Sequence, residues 1–149
     1  MWPFLLRRLL SVSCLWLFLC AEAGAQQLFP ARQGEKQRYA AYIEMPKAYV
    51  SGVCMMLHDS TAVKGCVFNE FGLSAIDFSY LPAKDKVVLH HVAGAMDKWY
   101  IRRLLRRDLR ELVHRLQQGN TTYYNEKYHI TYQFTPINNE KKENNGTEE

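Results

Sequence analysis

Hydrophobic and polar residues alternate along the middle of the chain in short bursts, and turn-forming clusters separate the bursts. "RYAAYIEM", "AYVSGVCMMLH", "AVKGCVFN", "LSAIDFSYL" and "DKVVLHHVA" are rich in β-branched and aromatic residues, which predicts strands. The breaks "PK", "DST", "EFG" and "PAKD" are short enough for hairpins or tight corners. Successive short connections favour an antiparallel meander. Two further strand patterns, "TTYYNE" and "YHITYQFTP", predict a hairpin near the C-terminus. Between meander and hairpin lies "AMDKWYIRRLLRRDLRELVHRLQQGN". Here Ile101, Leu104, Leu105, Leu109, Leu112, Val113 and Leu116 recur at three- and four-residue intervals, as one apolar helix face requires. Gly119 and Asn120 then form a stop signal. The expected fold is α+β: a curved antiparallel sheet, made of a meander of about five strands plus a C-terminal hairpin, covered by one long amphipathic helix.

The turns set an expected register. With Asp59-Ser60-Thr61 as the first loop, His58 faces Ala62 and Cys54 faces Cys66, close enough for a cross-strand disulfide. A two-residue loop would separate them, and two buried free thiols are then the alternative. In "GCVFNEFGLSAIDFSY", Asn69 and Gly72 fit the first and fourth positions of a type I turn followed by a glycine bulge, with Phe71 at the tip as a candidate apolar contact. This register puts Cys54, Met56, Cys66, Phe68, Ile76, Phe78 and Tyr80 on one face. Val53, Met55, Leu57, Val63, Gly65, Val67, Ala75 and Asp77 take the other. Both faces are largely apolar, whereas a sheet with one wet face alternates apolar with polar. One face therefore meets the helix, and the other predicts a curled sheet, a partner or an apolar ligand.

The ends of the chain change the setting. "MWPFLLRRLLSVSCLWLFLCAEAGAQQ" has Arg7 and Arg8, an apolar run from Leu9 to Leu19, and small residues at Ala23 and Ala25. This predicts a signal peptide over residues 1–25. The run falls short of the roughly 20 residues of a spanning helix, so no transmembrane span is expected in the mature chain. Phe18 and Leu19 are bulky where lipidation of Cys20 would need small residues. Residues 26–38 are expected to be a linker and 39–137 a single domain. The polar, charged segment "NNEKKENNGTEE" (138–149) is expected to be a disordered tail. The expected location is the periplasm, or the periplasmic face of an outer membrane, which argues against a nucleic-acid role.

The net charge of +4 is concentrated in one element. Residues 95–118 carry Lys98, Arg102, Arg103, Arg106, Arg107, Arg110 and Arg115 against Asp97, Asp108 and Glu111. Arg102, Arg103, Arg106, Arg107 and Arg110 form a candidate binding face for anionic lipid, lipopolysaccharide or an acidic envelope protein. The alternative is a solvated helix face.

Catalytic signals are sparse. "GLSAI" begins like a nucleophile elbow but lacks the closing glycine. His90 and His91 are adjacent in a strand, which sends them to opposite faces of a regular sheet. Asp77 is an acid inside an apolar strand, and His91 is a conceivable partner for it. No metal-ligand run, phosphate loop or dinucleotide fingerprint is present, so no cofactor is expected.

At "NEFGLSAIDFSY" and "DKWYIRRLLRRDL" the chain resembles small exported envelope proteins of Bacteroidetes bacteria, over roughly residues 39–134. That resemblance implies an envelope role and carries over no catalytic or ligand residues. In expected architecture the chain is also similar to the half-barrel lipoprotein carriers and receptors of the LolA/LolB type, although it has one long helix where those have several. The expected function is an exported, non-enzymatic binding or assembly protein that contacts lipid or an anionic partner. Two other readings are a small periplasmic enzyme or inhibitor using Asp77 and His91, and a structural subunit with a partner on its second face.

Overall fold

The computed structural model describes residues 28–138. The expected signal peptide and nearly all of the expected tail lie outside the described residues. Seven strands form where the alternating pattern places them: β1 (Lys36–Met45), β2 (Ala48–Asp59), β3 (Ala62–Asn69), β4 (Ser74–Leu81), β5 (Lys86–Val92), β6 (Thr122–Asn125) and β7 (Ile130–Pro136). The helix, α1, spans Trp99–Gln117. The strands make one antiparallel sheet in the order β5-β4-β3-β2-β1-β7-β6, so the C-terminal hairpin docks on β1 and extends the meander. α1 packs against both edge strands, β5 and β6. A right-twisted sheet that reaches one helix with both edges must curl, and the result is a half-barrel wrapped around α1.

Local chemistry explains where the elements stop. At the β3–β4 turn, Asn69 Oδ1 accepts from the backbone N–H groups of Phe71 (3.0 Å) and Leu73 (2.9 Å). Gly72 there takes a φ of +75° and donates to the Asn69 carbonyl at 2.9 Å. This is the type I turn with a glycine bulge read from the sequence, and Phe71 at its tip is 79% exposed. α1 ends in a Schellman arrangement. Gly119, at φ +85°, donates to Leu116 O (3.1 Å), and Asn120 donates to Arg115 O (2.8 Å).

The expected register needs correction at two places. The β2–β3 turn has two residues, Ser60 and Thr61, so Asp59 pairs with Ala62 and Cys54 pairs with Val67. Cys66 pairs with Met55, on the opposite face. Both cysteines are free thiols, and the expected disulfide between Cys54 and Cys66 is not made. In β3–β4, a bulge between Val67 and Phe68 shifts the pairing, so Cys66 opposes Asp77 rather than Ile76. Because side chains alternate with a period of two, a one-residue slip turns the whole of β3 over. Val63, Gly65 and Val67 therefore face the helix, and Cys66 and Phe68 face away.

The core is a continuous cluster from the inner face of every strand and the buried stripe of α1. Tyr39, Met56, Phe78, Tyr132 and Phe134 are its largest fully buried members. Gly65 is part of this packing. A Cβ built there would lie 2.3 Å from Cζ of Phe78, so the absence of a side chain lets the ring lie flat on the sheet. Part of the expected linker belongs to the domain. Phe29 is buried against Tyr80, edge to face, and β1 begins at Lys36. The Leu28 carbonyl accepts a hydrogen bond from Tyr39 Oη, and the Pro30 carbonyl lies 3.1 Å from Nδ1 of His58. Residues 28–30 thereby stopper one end of the half-barrel.

Candidate functional site

Among the described residues the opposite end is open. Beneath the N-terminal half of α1 lies an apolar cavity of about 400 Å³, within the size range of small-molecule sites. Its floor is the inner face of the sheet: Ile43, Val50, Ile76, Ile130 and Tyr132. Its roof is Tyr100, Ile101, Leu104 and Leu105 of α1. Met45, Pro46, Met96 and Tyr128 complete the lining from the β1–β2 turn, the segment before α1 and the β6–β7 turn. Two methionines in the lining give the cavity side chains that can adjust to an occupant.

A second cleft, of about 480 Å³, adjoins the cavity through the shared residues Tyr100, Leu104 and Tyr128. Its other walls are Trp99, Arg103, Arg107 and Lys127, giving three cations and no carboxylate. Trp99 is 75% exposed, Tyr100 56% and Tyr128 44%, an unusual concentration of open aromatic surface at one end of the molecule. Lys127 Nζ sits over the Tyr128 ring, 5.3 Å from its centroid. An apolar chamber beside a cationic, aromatic cleft can hold a molecule with an apolar tail and an anionic head.

The five arginines of the expected basic face do not act together. Arg102 is bound to Asp97, whose carboxyl is held below its usual range first by that hydrogen bond. Arg110 reaches Glu111 at 3.2 Å, and its Nε is buried without a hydrogen-bond partner. Its charge also acts on Asp85 and Tyr80, near the helix C-terminus. Arg106 is exposed and outside the cleft. Only Arg103 and Arg107 line it, and Arg107 Nε is also 3.6 Å from Asp108.

Asp108 belongs to the fold rather than to the basic face. It is fully buried and accepts from Asn125 Nδ2 with both oxygens (2.9 Å each) and from Tyr132 Oη at 2.9 Å. These bonds tie α1 to the C-terminal hairpin. Burial, followed by the Asp108 charge and hydrogen bond, pushes the Tyr132 phenol well above its usual range. The signal for Asp108 was available in the sequence, since it lies three residues after Leu105 and four before Leu112, on the edge of the buried stripe.

Asp77 and His91 are cross-strand partners on the outer face of the sheet. A bulge between β4 and β5 inserts His90 into the pairing, because Phe78 opposes Leu89 while Asp77 opposes His91. The regular alternation expected for the two histidines is broken, and the charges of both act on Asp77. His90 Nε2 is bound to Ser79 Oγ at 2.8 Å. Asp77 Oδ1 accepts instead from Cys66 Sγ and Ser74 Oγ, at 2.6 Å each. Burial alone would raise the Asp77 carboxyl, but these two bonds and the histidine charges outweigh it and hold it low. Burial and the bond to Asp77 push the Cys66 thiol up to about 11, so at neutral pH it is a protonated donor and not a nucleophile. Among the described residues, no group of three or more His, Cys, Asp or Glu is placed to hold a metal ion. No described helix is long and apolar enough to cross a membrane. Comparison with protein-family models, with curated proteins and with solved structures finds no match in any of the three.

Proposed function

We propose that this is an exported, non-enzymatic binding protein of the cell envelope that holds an anionic amphiphile in the open end of its half-barrel. The continuity of the apolar cavity with the Arg103–Arg107–Lys127 cleft carries the reading. The cavity accepts an alkyl chain because its lining is almost wholly hydrocarbon, thioether and aromatic ring. The cleft accepts a carboxylate or phosphate because its cations stand at the edge of a low-dielectric surface, where charge pairing is stronger than in bulk water.

Titration with dodecyl phosphate below its micelle concentration, read by calorimetry, tests the proposal. Saturable binding of one molecule is expected, with little or none for dodecyltrimethylammonium. Leu104→Trp, which fills the chamber from α1, should abolish it. Equal binding of the two head groups, or no saturation, sinks the reading. The alternative of a small enzyme or inhibitor has one observation in its favour, the bulge that gathers His90 and His91 beside Asp77. Against it, Asp77 is already bound by Cys66 and Ser74 on a sheet face.

A further inference from the structure

The rim of the cavity has a composition of its own, distinct from that of the chamber. Trp99 and Tyr100 stand edge to face at the start of α1, with ring centroids 5.9 Å apart. Tyr128 stands across the cleft on the β6–β7 turn. Cations line the cleft from two elements, Arg103 and Arg107 from α1 and Lys127 from the β6–β7 turn, and the exposed Lys47 follows the cavity-lining Pro46 on the β1–β2 turn. No described carboxylate oxygen lies within 4.0 Å of the charged nitrogens of Arg103, Lys127 or Lys47. Glu126 is the acid nearest in sequence, on the same turn as Lys127.

We infer that this rim is a membrane-docking face, by which the protein sits mouth-down on an anionic bilayer and receives its ligand directly from the lipid. The inference rests on the proposed binding function for what enters the cavity, but the docking has its own physical basis. Trp and Tyr prefer the headgroup level of a bilayer, where a ring meets hydrocarbon and its polar atom meets water. Basic residues near an anionic surface each add attraction that falls off within a Debye length. With the rim against the membrane, the cavity opening faces the acyl chains. An amphiphile could then slide tail-first between sheet and helix without crossing water.

The described core lies wholly within residues 28–138, so the chain from Gln26 onward is the protein to test. Trp99 is its sole tryptophan, since the others in the sequence are Trp2 and Trp16. Vesicles of phosphatidylcholine with phosphatidylglycerol should sediment the protein, and vesicles of phosphatidylcholine alone should not. Trp99 emission should shift to the blue and be quenched by brominated acyl chains in the phosphatidylglycerol vesicles. Arg103→Gln with Arg107→Gln should lower partitioning roughly 30-fold. Lys36→Gln with Lys64→Gln, in one register row at the far end of the sheet from the rim, should leave it within about twofold. Unquenched Trp99, binding indifferent to phosphatidylglycerol, or equal loss in both double variants overturns the inference. Vesicle failure with retained dodecyl phosphate binding overturns docking alone and leaves the proposed function standing. Vesicle binding without dodecyl phosphate binding supports docking and removes the cavity reading.

Discussion

The two ends of the half-barrel are built from the same sheet and the same helix, yet they are finished differently. At the closed end, Phe29 enters from the N-terminal segment and packs on Tyr80, whose hydroxyl donates to Asp85 at 3.0 Å. His114 Nε2 meets the same Asp85 oxygen at 2.6 Å, and the Tyr80 ring stands edge-on to the His114 ring. Apolar and polar groups there are matched to one another. At the open end no described segment plays the part of Phe29, and the apolar lining ends in exposed aromatics and cations. A half-barrel around a single helix has more inner face than the helix can cover. The described residues fill one end and leave the apolar surface of the other available.

Phe29→Ala should cost about 3–5 kcal/mol in urea unfolding, because it leaves a cavity at the packed end. Gly65→Ala should cost about 1–3 kcal/mol, since the added methyl meets a fully buried ring that has nowhere to move. Leu104→Ala, at the open end, should cost about 1 kcal/mol while weakening dodecyl phosphate binding. If Leu104→Ala costs as much as Phe29→Ala, the two ends are equally packed and the comparison fails.

Alkaline pH probes the shared middle of the barrel. Tyr39, Cys54 and Tyr132 have folded-state values raised, by burial first, above their ordinary values of 10.0, 9.0 and 10.0. The unfolded chain loses these protons first, so the stability they contribute is complete below pH 9 and declines above it. The urea midpoint should be flat in this respect from neutral pH to 9 and fall as pH rises further. The smallest effect belongs to His114→Gln. Its link to Asp85 is exposed to solvent, and a thermal melt at neutral pH should move only slightly. A large drop would mean that the closed end depends on this pair more than on Phe29.

Much of the fold was legible in the residues. All seven strands, the helix and the Asn69–Gly72 turn follow from local patterns, and the observed elements match them to within a few residues. The register was less accessible. Whether Asp59 is the last residue of a strand or the first of a loop is decided by small local energies, and no side chain around Ser60 forces either choice. That single residue moved Cys66 to the outer face and separated it from Cys54. The two bulges, at Ala75 and His90, likewise were not read from the sequence, because a bulge is a relation between two paired strands and neither strand's own alternation marks it.

The candidate site was the least legible part. Its cations were visible as a run on one helix, but the run mixed three roles: Arg103 and Arg107 at the cleft, Arg102 paired with Asp97, and Arg110 drawn toward Glu111 and the closed end. Lys127 and Tyr128 gave no signal, since nothing local distinguishes a turn over a cleft from a turn in open water. The elements follow from local patterns alone, because alternation and helical periodicity are properties of neighbouring residues. That Ile43, Ile76, Leu104 and Ile130 enclose one chamber depends on how the sheet packs on the helix. A cavity is the volume left over when distant segments pack, and no local pattern encodes it.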